Sequence, residues 1–364
     1  MIYKKYGRTG KQVSALGFGG MRFHKDEYDK DPEICADIVR YANAKGINYF
    51  DTAPYYCDDK SEIIFGLAFK NMPGQFFMST KSMISGEKTA DDVRRRCENS
   101  IKRMNVEKIN FFHMWSIINL EQYRRVMAPG GPYEGAMKLK EEGLIDHICI
   151  STHASGDEIR QIVEEGFYEG ILLGYNATNF AFRQEGIKAA YAQDMGIVTM
   201  NPLGGGMIPN NPDFYSYLNE GSNDTLAQAA LRFNISHKEI SVTLSGMGSK
   251  EEIDENIIAA QTYAELSDEK LDDLKKHLNS SLDKLCTGCG YCDSCPEGIP
   301  VPKMMDAYNM KIITSNNDEM KNRFNYHWHI KKSIAGKCTE CGKCEKLCTQ
   351  RLPIIERLKD INSI

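Results

Sequence analysis

Apolar positions along the first 245 residues or so follow two rhythms. Short runs rich in β-branched and aromatic residues, the pattern of strands, recur at 16–21, 48–53, 76–81, 109–115, 147–151, 170–176, 197–202 and 241–245. Between them lie stretches with the three-to-four spacing of amphipathic helices, as at 32–44, 90–104, 133–142 and 225–233. Eight strand-then-helix units of this length predict an α/β fold, the (β/α)₈ barrel. An open doubly wound sheet is the alternative. Ahead of these units, 3–6 and 12–14, joined through Arg8-Thr9-Gly10, predict a small hairpin.

The rhythm changes near residue 280, after a polar helix-like stretch at 267–279. Eight of the twelve cysteines lie between Cys286 and Cys348; the other four, Cys35, Cys57, Cys97 and Cys149, are scattered. The chain therefore divides into residues 1–280 and a small, mainly helical domain at 281–364. Within the latter, 302–311 and 318–330 read as helices, and Phe324, Tyr326 and Trp328 of the second are expected in its core.

Composition narrows the function. A net charge of −5 with no basic block excludes an electrostatic nucleic-acid binder. No run approaches the roughly 18 apolar residues of a membrane span, and the start, Met1-Ile2-Tyr3-Lys4-Lys5-Tyr6-Gly7, has no apolar core of a secretion signal. A cytoplasmic protein without membrane contact is expected. Twelve cysteines in such a chain speak for metal or redox chemistry rather than disulfides.

In a barrel of this kind, function sits just beyond the C-terminal ends of the strands. Those positions hold Asp51, Tyr55 and Tyr56, Lys81, His113, Ser151, Asn176 and Pro202-Leu203-Gly204-Gly205-Gly206. Singly, each has a plain structural explanation: a cap, a rim ion pair, a satisfied core histidine. Together, an acid, a phenol, an ammonium and an imidazole on nearby strands point to one reactive mouth.

Phe50-Asp51-Thr52-Ala53-Pro54-Tyr55-Tyr56, followed by Ser61-Glu62 and Gly66, resembles the Asp-Thr-Ala…Tyr-Gly…Ser-Glu signature of the aldo/keto reductases. The resemblance covers residues 1–265 or so. It implies a (β/α)₈ barrel that reduces carbonyls with NADPH or NADH, and a catalytic tetrad of Asp51, Tyr56, Lys81 and His113. The family's Tyr-after-Asp spacing selects Tyr56 over Tyr55. A phenol with a pKa near 10 is a weak acid at neutral pH, and a nearby ammonium lowers that value. Lys81 is expected to do so for Tyr56, Asp51 to hold Lys81 charged, and His113 to orient the substrate oxygen. The resemblance further implies cofactor contacts from Gly20, Met21, Ser151, Thr152, Met200, Leu203, Gly204, Gly205, Gly246, Gly248, Ser249, Glu255 and Asn256. The family's carboxamide-binding Asn and Gln are replaced by Thr152 and Leu172, and the positions that clamp a 2′-phosphate hold Gly246 and Glu252, with only Lys250 nearby.

Cys286-x2-Cys289-x2-Cys292-x2-Cys295-Pro296 and Cys338-x2-Cys341-x2-Cys344-x3-Cys348 resemble the runs of two-cluster ferredoxins, whose fourth cysteine ligates the other cluster. The resemblance implies one [4Fe-4S] cluster on Cys286, Cys289, Cys292 and Cys348, and another on Cys338, Cys341, Cys344 and Cys295. Two Cys₄ zinc sites are the competing reading. The whole chain is expected to reduce a small carbonyl substrate, with clusters that are structural or serve an external electron-transfer partner. A nicotinamide-redox sensor, or an electron-transfer protein with little carbonyl turnover, is the alternative.

Overall fold

The computed structural model describes residues 1–262, 264–277, 285–286 and 288–364. The expected domain boundary at residue 280 lies outside them. The hairpin forms as β1 (Tyr3–Lys5) and β2 (Gln12–Ser14), paired antiparallel, with a 3₁₀ turn over Gly7–Thr9. Eight parallel strands follow: β3 (Leu16–Gly19), β4 (Tyr49–Asp51), β5 (Phe77–Met83), β6 (Ile109–Ile117), β7 (Ile145–Thr152), β8 (Gly170–Gly174), β9 (Gly196–Met200) and β10 (Val242–Ser245). They neighbour one another in chain order, and β10 closes onto β3. That closure excludes the open sheet. β5 outruns its expected limit because its pairing with β6 continues through Ser82–Met114 and Met83–Trp115, and β6 outruns its own because it pairs with β7 at Ile117–Thr152.

Local signals set the helix ends. Asp31 accepts from the Glu33 amide at 3.0 Å and starts Pro32–Ala44. Thr89 and Asp92 form a reciprocal cap at the head of Ala90–Met104, and Asn105, at φ 50°, ends it in the left-handed region.

Successive strand residues face opposite sides. Tyr49, Phe77 and Phe111 therefore turn inward low in the barrel, in one cluster with Tyr6. Tyr6 comes from the hairpin and closes the floor, its ring 4.2 Å from Phe111 and 5.9 Å from Tyr49. Gly170 and Gly196 make room for it, since a Cβ there would stand 2.2 and 2.0 Å from Tyr6 atoms. The same alternation turns Asp51, Lys81 and His113 inward further up. Phe50 and Phe112, one residue out of phase, join the buried layer between strands and helices, where each such side chain contributes roughly 1.5–3 kcal/mol.

The polar stretch at 267–279 is helical over Asp268–His277. In the tail, helices Val301–Thr314 and Ile354–Ser363 pack with Met320 and Phe324 into a second core, against which Cys286, Cys295, Cys338, Cys344 and Cys348 lie. The helix expected at 318–330 is α-helical only over Asn317–Asn322 and loosens into a π turn over Arg323–Trp328. Phe324 is buried and Trp328 half-buried, its indole N–H donating to Asp306 at 2.7 Å. Tyr326 departs from expectation: it is 77% exposed, because the wider turn carries it off the buried face. No helix among the described residues is long and apolar enough to cross a membrane.

Candidate active site

β4 and β5 set Asp51 and Lys81 across from each other beneath the barrel mouth. Lys81 Nζ donates to Asp51 Oδ2 at 2.6 Å and to the Thr52 carbonyl at 2.6 Å; Ser79 Oγ donates to the other Asp51 oxygen at 2.7 Å. Both members are buried. Burial lowers the Lys81 pKa, and the Asp51 carboxylate works against that.

Tyr56 follows in a loop of unusual backbone: Tyr55, Cys57, Asp58 and Asp59 all have positive φ, between 53° and 70°. Left-handed non-glycine residues cost on the order of 1 kcal/mol each. Surrounding contacts offset this cost. Arg103 pairs with Asp59, Lys25 with Asp58, and the Cys57 thiol donates to the Gly20 carbonyl at 3.5 Å. The result separates the two tyrosines. Tyr55 is 54% exposed and accepts from Arg96 at 2.8 Å. Tyr56 turns inward, its ring centroid 5.2 Å from Lys81 Nζ and 5.7 Å from that of Trp115, the two rings near perpendicular.

One expectation needs correction. Lys81 faces the Tyr56 ring and spends its protons on Asp51 and Thr52. Burial, and then the Asp51 charge, push the phenol pKa up; Arg22 is the cation that opposes them. His113, in register with Lys81, is fully buried. Burial and the Lys81 charge push its pKa down to about 3, so the ring is neutral. Apart from a looser approach to the Ile150 backbone, its nitrogens have no partner among the described residues.

The family model for the aldo/keto reductases matches residues 15–279, well over half of the chain. The chain belongs to the aldo/keto reductase family. It is 29% identical to a probable aldo-keto reductase 1 of soybean over 220 residues, 56% of this chain and 60% of that one, less than two thirds of its length. It is 25% identical to the L-galactose dehydrogenase of Arabidopsis thaliana over 281 residues, 70% of this chain and 86% of that one. Among solved structures, an aldo/keto reductase of Klebsiella pneumoniae in complex with NADP and acetate superposes with a TM-score of 0.60 at 20% identity, covering 75% of this chain and 95% of that one.

The positions that the aldo/keto reductase pattern assigns to the cofactor differ in how well they suit one. Ser151 Oγ is buried with no partner among the described residues, a hydroxyl left over for a bound group. Gly204, Gly205 and Gly206 form a tight turn at φ 62°, 69° and 91°, and beside Gly205 a Cβ would meet only Asn201, at 3.8 Å. The turn offers bare backbone to a phosphate. Met200 and Leu203 are half-buried beside it. Gly20 is buried, its carbonyl accepting from Ser61 at 2.7 Å, while Met21 is 55% exposed. Asn256 donates to Ser245 at 3.3 Å and Glu255 accepts from Thr225 at 2.9 Å. Thr152, by contrast, donates its hydroxyl to the Ile117 carbonyl at 2.8 Å, and Leu172 is a buried apolar side chain. Gly246 and Gly248 lie under Arg22 and His24, which a Cβ would approach to 2.4 and 2.3 Å. At the head of helix Lys250–Ala259, Ser249 accepts from the Glu252 amide at 3.2 Å and Glu252 accepts from the Gly248 amide at 2.7 Å.

The cysteine runs share one backbone plan. Gly288 N–H approaches Cys286 Sγ at 3.4 Å, and Glu340 N–H approaches Cys338 Sγ at 3.4 Å. Residues 288, 290, 340 and 342 are all left-handed, with φ between 57° and 79°. Leu352 N–H adds a bond to Cys348 Sγ at 3.3 Å. Amides aimed at sulfur suit a thiolate. Burial, and then repulsion from neighbouring cysteines, raises the thiol pKa of Cys286, Cys292 and Cys348, with Cys289 acting on all three, and Cys295, Cys338, Cys341 and Cys344 line one cavity. Among the described residues no three His, Cys, Asp or Glu side chains converge into a preassembled metal site. Burial pushes the Cys286 thiol up to about 12.

Sequence reasoning missed how closely the tail approaches the barrel mouth. Tyr291, between Cys289 and Cys292, meets His153 Nε2 with its hydroxyl at 3.0 Å, the two ring centroids 4.9 Å apart and the rings steeply inclined. Arg351 pairs with Glu158 at 2.8 Å, and Leu285 and Ile313 pack with Met207 and Phe214. No local pattern marks these residues, because each contact joins segments more than 70 residues apart.

Proposed function

We propose that the chain reduces the carbonyl group of a small aldehyde or ketone, with residues 1–280 as the catalytic barrel and 281–364 as a ferredoxin-like domain carrying two [4Fe-4S] clusters. The observation that carries the catalytic part is the grouping of Asp51, Lys81, Tyr56 and a neutral His113, whose nitrogens have no side-chain partner among the described residues, at one barrel mouth. A reduced nicotinamide, when bound, supplies the hydride that converts the carbonyl into an alkoxide. Ser151 is the free hydroxyl for its carboxamide, and Gly204, Gly205 and Gly206 are the backbone cradle for its phosphates. His113 donates a hydrogen bond to the substrate oxygen and fixes its direction. Tyr56 holds its phenolic proton at all physiological pH values and gives it to that oxygen as negative charge develops. The Lys81–Asp51 pair keeps the ring in place and keeps a positive charge beneath it.

In the tail, Cys286, Cys289, Cys292 and Cys348 would hold one cluster, and Cys295, Cys338, Cys341 and Cys344 the other, with the backbone amides at 288, 340 and 352 bonding the sulfurs. Such clusters supply one-electron transfer to an outside partner or rigidity to the domain. We place the protein in the cytoplasm.

A redox-sensing role with little turnover has one observation in its favour: Thr152 and Leu172 offer no free polar group where the family holds the carboxamide. Anaerobic purification followed by absorbance spectra, NADH and NADPH titrations and steady-state assays on a panel of aldehydes separates the readings. Tight cofactor binding without turnover would favour the sensor; turnover that needs Tyr56 supports the reductase.

A further inference from the structure

Arg183, on helix Phe180–Ala192, is a buried cation in an odd position. Its side chain is 1% exposed, yet among the described residues its guanidinium bonds only neutral groups, the carbonyls of Gly174 at 3.0 Å and His153 at 3.3 Å. Its Nε has no acceptor among the described residues, and none of their carboxylates pairs with it. The ring of Phe182 covers one side, 5.2 Å away. An unpaired buried charge is strongly unfavourable, so a guanidinium held this way calls for an anion.

The surroundings indicate which anion. The His153 backbone that Arg183 holds carries the imidazole that meets Tyr291, and Tyr291 is flanked by Cys289 and Cys292. Burial pushes the Arg183 pKa down to about 10, and among the described residues the charge acting against burial is that of Cys289. A carboxylate substrate is the rival partner, but so enclosed a guanidinium has no open path to one. From the tail side, Arg357, also buried, faces Cys286 and Cys348. The set around Cys338 has exposed lysines near it, Lys343 lining its cavity and Lys359, and the acid Glu345, in place of a buried guanidinium.

We infer that Arg183 is the barrel's counter-cation for an anionic cluster on Cys286, Cys289, Cys292 and Cys348, tying the electrical state of the first cysteine run to the catalytic barrel. The inference rests on the iron–sulfur reading of the tail. Four thiolates give a [4Fe-4S] centre a net negative charge, larger when reduced, and nearby positive charge favours the reduced state. Arg183 therefore raises the midpoint potential of the first cluster above that of the second.

The test is an anaerobic dithionite titration of the full, loaded chain, followed by low-temperature EPR, for wild type, Arg183→Gln, Arg183→Met and Arg183→Lys. Two separable midpoints are expected in the wild type. Arg183→Gln, which keeps amide donors for the carbonyls, should move one midpoint to more negative potential and leave the other in place. Arg183→Met should do the same, and Arg183→Lys should stay near wild type. Loss of one cluster only, in the neutral variants, would also support the assignment. Unmoved potentials in loaded Arg183→Gln overturn it, as does a shift in Arg183→Lys as large as in Arg183→Gln. A wild-type chain holding no iron overturns the cluster reading instead.

Discussion

Lys81 and Asp51 form a buried ion pair at 2.6 Å that faces the ring of Tyr56. Neither charge reaches water, so each depends on the other. Removing one leaves an uncompensated buried charge, which costs roughly 3–5 kcal/mol. Asp51→Asn should destabilise the barrel by about that amount, and Lys81→Met similarly. The double variant should lose less than the sum, because it leaves neither charge stranded. Urea unfolding of the four proteins gives the coupling; additive losses would mean the pair does not act as a unit.

The two adjacent tyrosines give a sharper test. Tyr56 faces Lys81 and Tyr55 faces Arg96 and solvent. Tyr56→Phe should lower carbonyl reduction by at least the ~10²–10⁴-fold that general acid catalysis typically contributes, with nicotinamide binding almost unchanged. Tyr55→Phe should stay within a few-fold of wild type. A dead Tyr55→Phe beside an active Tyr56→Phe would show that the proton comes from the other ring.

Much of this was legible in the sequence because it depends on local periodicity. Strand alternation brings Asp51, Lys81 and His113 to the inside, and capping residues such as Asp31 and Thr89 mark helix starts. The acidity of Tyr56 was not legible: it depends on whether Lys81 points at the hydroxyl or the ring, which is a matter of ångströms. Nor was the exposure of Tyr326, which follows from a π turn that no residue pattern announces. The seating of Tyr291 and Arg183 near the first cysteine run is a purely tertiary relationship.

On the proposed reading, cofactor preference should turn on Glu252. Its carboxylate already accepts from the Gly248 amide at 2.7 Å, at a helix head where an anion is otherwise welcome. With no basic residue at Gly246 or Glu252, discrimination for NADPH over NADH should be weak. Glu252→Arg should raise the NADPH/NADH ratio of kcat/KM by about tenfold, as expected of one added phosphate contact worth ~1.4 kcal/mol. A strong NADPH preference in the wild type, unaltered by Lys250→Ala, would point to another phosphate-reading residue.

His113 makes the barrel acid-sensitive. Its folded pKa of about 3 lies below the unfolded value near 6.5, because burial and Lys81 disfavour its charged form. The unfolded chain therefore binds the proton first as pH falls. The contribution is intact above pH ~6.5 and is lost progressively down to about pH 3. Between pH 6.5 and 5 this amounts to at most ~2 kcal/mol. His113→Gln should flatten that part of the stability curve, measured by urea unfolding at each pH. A variant as acid-sensitive as wild type over this range would assign the loss to other groups.

The crossed arrangement of the cysteines leads to the last prediction. Cys295 belongs by sequence to the first run, but it lines one cavity with Cys338, Cys341 and Cys344, while Cys348 interacts electrostatically with Cys286, Cys289 and Cys292. If two [4Fe-4S] clusters form, the chain isolated without air should hold about eight irons. Cys295→Ala should then damage the cluster on Cys338, Cys341 and Cys344 and spare the one built on its own run. The lost ligand is also a tether across Val301–Thr314, so limited proteolysis should cut that region faster in Cys295→Ala, since a small domain draws folding energy from its metal. Iron analysis and EPR of reduced protein give the cluster count. Two zinc ions per chain without visible absorbance would replace the clusters by Cys₄ zinc sites, and loss of the cluster on Cys286 in Cys295→Ala would replace the crossed ligation by one confined to each run.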